Sequence, residues 1–203
     1  SGTPTNDEVG SHSIVLTVTD LEGATSEQSF TINVANTNDA PVFTSTPLTS
    51  AVEDAEYSYT MIAEDVDEGD GLTYTAQTLP GWLNFDGTAT ISGTPTNDEV
   101  GDHSIVLMVT DNSGATAEQS FIISVTNTND APVFTSIPLT SAVEDAGYSY
   151  TAAASDIDVG DVLSISGEYP SWLTLIDNGD GTAGLSGTPT NDEVGSHSIV
   201  LTV

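Results

Sequence analysis

Asp65 and Asp67 stand two residues apart in "AEDVDEGDGL", with Glu64, Glu68 and Asp70 beside them, and Asp156, Asp158 and Asp161 repeat the arrangement in "ASDIDVGDVL". On extended chain, side chains two apart leave the same face, so each pair is expected to hold two carboxylates side by side. Like charges so placed cost energy unless a cation lies between them. Hard oxygen ligands in such numbers suit Ca²⁺. Further acids gather at Glu53-Asp54, Asp98-Glu99, Asp111 and Asp130, and again at Glu144-Asp145 and Asp192-Glu193. The competing reading is a solvated acidic face. Against it, the acids recur at turns and junctions, while most strand positions facing water are Thr and Ser.

Nothing basic answers these acids. The 203 residues hold 31 Asp plus Glu, no Lys, no Arg and no Cys, for a net charge of −31. Each carboxylate therefore needs water, a backbone N–H or a bound cation. Nucleic acid is excluded as a partner, because counterion release requires cationic side chains. Anionic membrane surfaces are repelled for the same reason, and no apolar run in this segment is long enough for membrane insertion. Disulfides and thiolate chemistry are absent. No Ser sits in a nucleophile-elbow context, and the paired acids lie at junctions rather than in one cleft, so the chain is expected not to be an enzyme.

The elements that must position the acids come in copies. "SGTPTNDEVGSHSIVLTV" opens at Ser1, returns with small edits at Ser92, and recurs at Ser186, shifts of 91 and 94 residues. "NTNDAPVFTS" begins at Asn36 and Asn127 in the same step. Residues 40–132 are expected to form one whole repeat, 1–39 the C-terminal part of the one before, and 133–203 a repeat without its final strand. Inside each copy the apolar period is two: Phe30, Ile32 and Val34 share a face, as do Phe121, Ile123 and Val125. "HSIVLTVTD", "YSYTM" and "LTYTA" read as further strands broken by Gly, Pro and Asn-Asp turns. No 3.6-residue period intervenes. The expected fold is all-β: tandem immunoglobulin-like β-sandwich repeats, each large enough to bury its own core.

The order of motifs resembles cadherins. "NTNDAPVF" is similar to the cadherin inter-domain linker, "VED" to the glutamate motif near the start of a unit, and "DVDEGDGLTY" to the Asp-x-Asp stretch entering a strand. "TNDE" before "VGDHSIVLMVTDNSG" resembles the acidic loop with the later Asp-x-Gly turn, and "ISGTPT" resembles bacterial immunoglobulin-like and dystroglycan-type cadherin-like repeats. The resemblance spans the whole chain and implies Ca²⁺ at each junction. At the first, the implied ligands are Asp7, Glu8, Asn36, Asn38, Asp39, Asp65, Asp67 and Asp111. At the second they are Glu53, Asp98, Glu99, Asn127, Asn129, Asp130, Asp156 and Asp158. The linker's first Asp is Asn here, and Ala40 or Ala131 stands directly before proline. The lower ligand charge implies weak sites, with dissociation constants of about 10⁻⁴–10⁻³ M.

The remaining conspicuous residues read as structural. His12, His103 and His197 occur once per copy with no second His or Cys near them, which is not a zinc pattern. Trp82 and Trp172 read as core, with a sugar-stacking platform as the alternative. "DNGDGTAG" misses the spacing of a calcium hand and reads as a hairpin turn. The resemblance implies a calcium-stiffened segment of an extracellular or cell-surface bacterial adhesin, with like repeats or surface polysaccharide as partners. The alternative is carbohydrate-binding repeats attached to a polysaccharide-degrading enzyme. Residues 1–39 and 133–203 carry complementary pieces of a repeat, so head-to-tail association through the end pieces is expected.

Overall fold

A computed structural model describes residues 1–203, which divide into two compact units, Ser1–Thr126 and Asn127–Val203. Every regular element beyond three single-turn 3₁₀ segments is a strand.

The first unit begins with a hairpin of β1 (Gly10–Thr19) and β2 (Thr25–Val34), paired antiparallel along their full length. Nine strands follow: β3 (Val42–Phe43), β4 (Ser50–Val52), β5 (Tyr57–Thr60), β6 (Ala63–Glu64), β7 (Thr73–Thr78), β8 (Asn84–Phe85), β9 (Thr90–Gly93), β10 (Gly101–Thr110) and β11 (Thr116–Thr126). One sheet has the order β4-β11-β10-β7, with β4 and β11 parallel; the other has the order β5-β9-β8. Alternation sends Tyr57, Tyr59, Ile91, Ile105, Leu107, Ile123 and Val125 inward from the two sheets, and Met61, Trp82 and Leu83 close the core. This is the expected all-β sandwich.

Trp82 is a core residue, not an exposed platform: its ring meets Tyr57 and His103 edge-on at centroid distances of 5.8 Å each. His103 Nε2 in turn lies 2.6 Å from the Glu99 carbonyl oxygen. The histidine is thus a rivet between the 3₁₀ turn Asn97–Glu99 and the indole, as a structural reading requires.

Strand β9 is aimed by the turn before it. Asp86 Oδ1 accepts hydrogen bonds from the N–H groups of Thr88, Ala89 and Thr90, and Oδ2 accepts from the Thr88 hydroxyl. Those bonds, led by the Thr90 N–H, hold the Asp86 carboxyl down at about 2. A carboxyl depressed on folding adds stability above its ordinary value near 3.8, and that stability is lost as pH falls toward about 2. The wild-type chain is therefore expected to melt above Asp86→Asn at neutral pH, with the gap closing between about pH 4 and pH 2. A gap that stays constant through that window would show that the charge does not matter.

The second unit has β12 (Val133–Phe134), β13 (Tyr148–Ser155), β14 (Ser166–Glu168), β15 (Leu173–Asp177), β16 (Thr182–Gly187) and β17 (Val200–Thr202). One sheet runs β12-β13-β16-β15, and β14 pairs with β17. "DNGDGTAG" is the β15–β16 connection, with Gly179 and Gly181 at φ of 73° and 80°, so the hairpin reading holds. No strand of this unit occupies the place of β11. Its core accordingly splits into two small clusters, around Tyr148, Leu173 and Leu185 and around Ala152, Ile165 and Ala183.

Candidate metal centre

Asp65, Asp67 and Asp70 converge, with one carboxylate oxygen from each lying within 4.8 Å of the others. The route to this convergence differs from the extended pair expected from spacing. Beyond β6 the chain turns, because Asp65 Oδ1 accepts a hydrogen bond from the Asp67 N–H at 2.9 Å. Aspartate side chains that bond their own backbone two residues on favour turns over strand. The turn brings Asp70 into the group as a third carboxylate.

Linker residues dock onto this loop. The Asp39 N–H donates to Asp67 Oδ2 at 2.7 Å, and the Asn38 amide donates to Asp111 Oδ2 at 2.8 Å and to the Asp39 carbonyl at 2.8 Å. Asn6, absent from the ligand set implied by the resemblance, donates to Asp39 Oδ2 at 2.9 Å and to Asp67 Oδ1 at 3.4 Å. Its "TND" context repeats at Asn97 and Asn191, the one sequence signal that could have singled it out. Asp111 Oδ1 accepts from the Gly114 and Ala115 N–H groups, which fixes the turn between β10 and β11. Asp67 and Asp111 are buried, at 7% and 6% exposure.

The electrostatics are those of like charges crowded into one loop. The Asn38 amide, foremost, and the turn N–H groups hold the Asp111 carboxyl below its usual range. Asp70 is pushed up, first by lost hydration and then by the charges of Asp111, Asp65 and Asp67. Asp65 Oδ2 is buried without a hydrogen-bond partner. Buried carboxylate oxygens are normally satisfied, so an orphaned oxygen beside two further carboxylates fits a hard divalent ion.

Among the implied ligands of the two junctions, some are committed to other bonds or stand exposed. Glu8 Oε2 is occupied by the N–H and hydroxyl of Thr5, at 2.7 Å each, in a capping box over the turn Asn6–Glu8. Those bonds, the Thr5 N–H first, hold the Glu8 carboxyl down. Glu99 makes the same box with Thr96. Asp7, Asn36 and Asp98 are exposed. Glu53 is buried in the first unit at the end of β4.

The second unit repeats the loop. Asp156, Asp158 and Asp161 place one oxygen each within 4.8 Å of the others. Asp158 donates its N–H to Asp156 Oδ1 at 3.0 Å and accepts from the Asp130 N–H at 2.7 Å, while the Asn129 amide donates to the Asp130 carbonyl. Asn127 is exposed.

An all-β sandwich with acid-lined loops docked onto a linker defines an immunoglobulin-like repeat of cadherin-like architecture. The chain belongs to the family described as "Putative Ig domain" (He_PIG), whose model matches residues 1–35, 40–126 and 131–203. It is 37% identical over 126 residues to the "Serine-rich adhesin for platelets" of Staphylococcus aureus strain MRSA252, covering 62% of this chain and 9% of that protein. The USA300 form matches at 37% identity over the same length, covering 5% of it. The chain thus spans less than a tenth of these curated relatives. Among solved structures, protocadherin γB3 domains EC1–4 superpose over 99% of this chain and 58% of theirs, with a TM-score of 0.71 at 19% identity. The protocadherin γB4 extracellular domain covers 99% and 38%, with a TM-score of 0.64 at 23% identity. These two likenesses concern the fold. Like the platelet adhesins, the chain is an extracellular or cell-surface one.

Proposed function

We propose that this chain is a calcium-binding, non-catalytic segment of a surface adhesin, in which ions at the repeat junctions stiffen a tandem array. The repeats are residues 1–39, 40–132 and 133–203, and like repeats or surface polysaccharide are the contacts they serve. The observation that carries this reading is the convergence of Asp65, Asp67 and Asp70 around an unpartnered, buried Asp65 oxygen in a chain with no Lys or Arg. Asp39 and Asn38 belong to the linker, while Asp67 and Asp111 belong to the repeat that follows. An ion held by the loop carboxylates ties linker to repeat, and like charges that otherwise repel are neutralised. The similarity to adhesins for platelets supports the adhesive role.

Calorimetric titration is expected to show binding at dissociation constants of about 10⁻⁴–10⁻³ M for Ca²⁺, and small-angle scattering a radius of gyration that rises with it. Equal heats with Mg²⁺ at matched ionic strength, together with an unchanged scattering profile, would favour the solvated acidic face instead.

A further inference from the structure

We propose that Asn6 is a neutral stand-in for a cation at the first junction: its amide bridges two carboxylates, so that linker and loop stay joined before any ion binds. This rests on the reading of the Asp65–Asp67–Asp70 loop as a calcium site, and it fixes how much of the junction's order depends on calcium.

Two distances draw the bridge. Asn6 Nδ2 lies 2.9 Å from Asp39 Oδ2 and 3.4 Å from Asp67 Oδ1. Ionised carboxylates only accept hydrogen bonds, so the NH₂ of the amide, and not its oxygen, faces them. Asp39 belongs to the linker and Asp67 to the loop beyond β6. A second bond, from the Asp39 N–H to Asp67 Oδ2 at 2.7 Å, holds the same two residues together. It brings their carboxylates close in a chain that has no Lys or Arg to answer them. Like charges so placed repel unless something positive lies between them. What lies between them here is the pair of amide protons.

The turn that carries Asn6 is built to present it. The Glu8 N–H donates to the Thr5 carbonyl and the Val9 N–H to the Asn6 carbonyl, each at 3.1 Å. Glu8 Oε2 is taken by Thr5, and Asp7 is exposed. His12 Nε2 lies 2.7 Å from the Glu8 carbonyl oxygen and ties the turn to β1. Asn6 is thus the side chain of the turn that reaches the linker. Asn38 acts in the same way one step along, its amide spanning Asp111 Oδ2 and the Asp39 carbonyl.

The carboxylates of the junction therefore fall into two sets. Asp39 and Asp67 are bridged by an amide and need no ion to stay together. Asp65, Asp67 and Asp70 converge on an oxygen that no donor reaches, and it is this set that calls for one. An aspartate at position 6 would move the first set into the second: three carboxylates would meet where two and an amide stand, and only a cation could hold them.

The test is residue-resolved amide hydrogen exchange by NMR on the ¹⁵N-labelled 203-residue chain, in chelator and in about 10 mM calcium. The Asp39 N–H reports the joint between linker and loop. The Asp130 N–H, bonded to Asp158 Oδ2 at 2.7 Å, is the control that Asn6 variants leave unchanged. In the wild type, Asp39 is expected to be protected already in chelator. In Asn6→Ala it should exchange about tenfold faster under both conditions, as for a lost hydrogen bond to a charged group. In Asn6→Asp it should exchange at least tenfold faster in chelator and return to the wild-type rate in calcium. A side chain that merely packed there would give no such dependence on calcium. The proposal is overturned if wild-type Asp39 is protected only in calcium, or if Asn6→Asp exchanges alike in chelator and calcium. The Gly69 cross-peak, from between Asp67 and Asp70, reports whether the loop takes up calcium at all. If calcium leaves it in place in the wild type, the calcium reading itself fails, and the chelator rates of wild type and Asn6→Ala alone then decide the bridge.

Discussion

Asp67→Asn is expected to erase most of the rise in melting temperature that calcium gives the repeat carrying it. Asp67 is the node of the loop: it accepts from the linker at Asp39 and from Asn6, and its own N–H pins Asp65. An asparagine keeps one oxygen, enough for the short bond from the Asp39 N–H, and its own N–H to Asp65, so the loop survives; its NH₂ gives up the longer bond from Asn6, and one formal charge is gone. A site of about 10⁻⁴ M filled at about 10 mM calcium stabilises the folded state by about 2.7 kcal/mol. For a domain of this size that is about 10–20 °C. Asp20→Asn serves as the control, since Asp20 Oδ1 only accepts from Glu22 and Ala24 N–H groups in the β1–β2 turn. Differential scanning calorimetry with chelator and with calcium reads both variants. A wild-type curve that does not move, or an Asp67→Asn curve that moves as far as the wild type, would sink the calcium reading.

Gly93→Ala should unfold the central sandwich at a temperature lower by more than about 10 °C, a loss of about 3 kcal/mol or more for a core that cannot yield. A Cβ at Gly93 would lie 2.0 Å from the Trp82 carbonyl oxygen and 3.0 Å from its carbon. Both atoms are backbone, held by the turn in which the Leu83 N–H donates to the Pro80 carbonyl, so neither can rotate aside. Gly81→Ala, with open space around the added carbon, should melt within a few degrees of the wild type. Gly187 faces the Trp172 carbonyl at the same 2.0 Å, so Gly187→Ala should weaken the second unit alone. Equal melting of Gly93→Ala and Gly81→Ala would refute the close approach.

The glycine of "ISGTPT" is conspicuous in the sequence, yet its reason is tertiary: the chain from Pro80 to Leu83 crosses directly over β9. The acids divide in the same way. Local spacing located the two carboxylate loops, because Asp65, Asp67 and Asp70 are neighbours along the chain. Spacing did not place Asn6 at Asp39 and Asp67, nor spend Glu8 on Thr5, since a cap competes for the side chain only once the turn has formed. Alternation of Phe, Ile and Val identified the strands of the complete repeat, because a face that is apolar every second residue can be buried only by a sheet. What alternation could not decide is whether a strand forms at all. GSHSIVLTV opens a ten-residue strand at Gly10, but at Gly195 the same nine residues are strand only from Val200. Residues 10–18 have β2 to accept and donate their backbone hydrogen bonds, whereas residues 195–199 have no strand beside them. Sequence by itself determined which residues are fit to be strand; the presence of a neighbour, a property of the tertiary structure alone, determined which of them are.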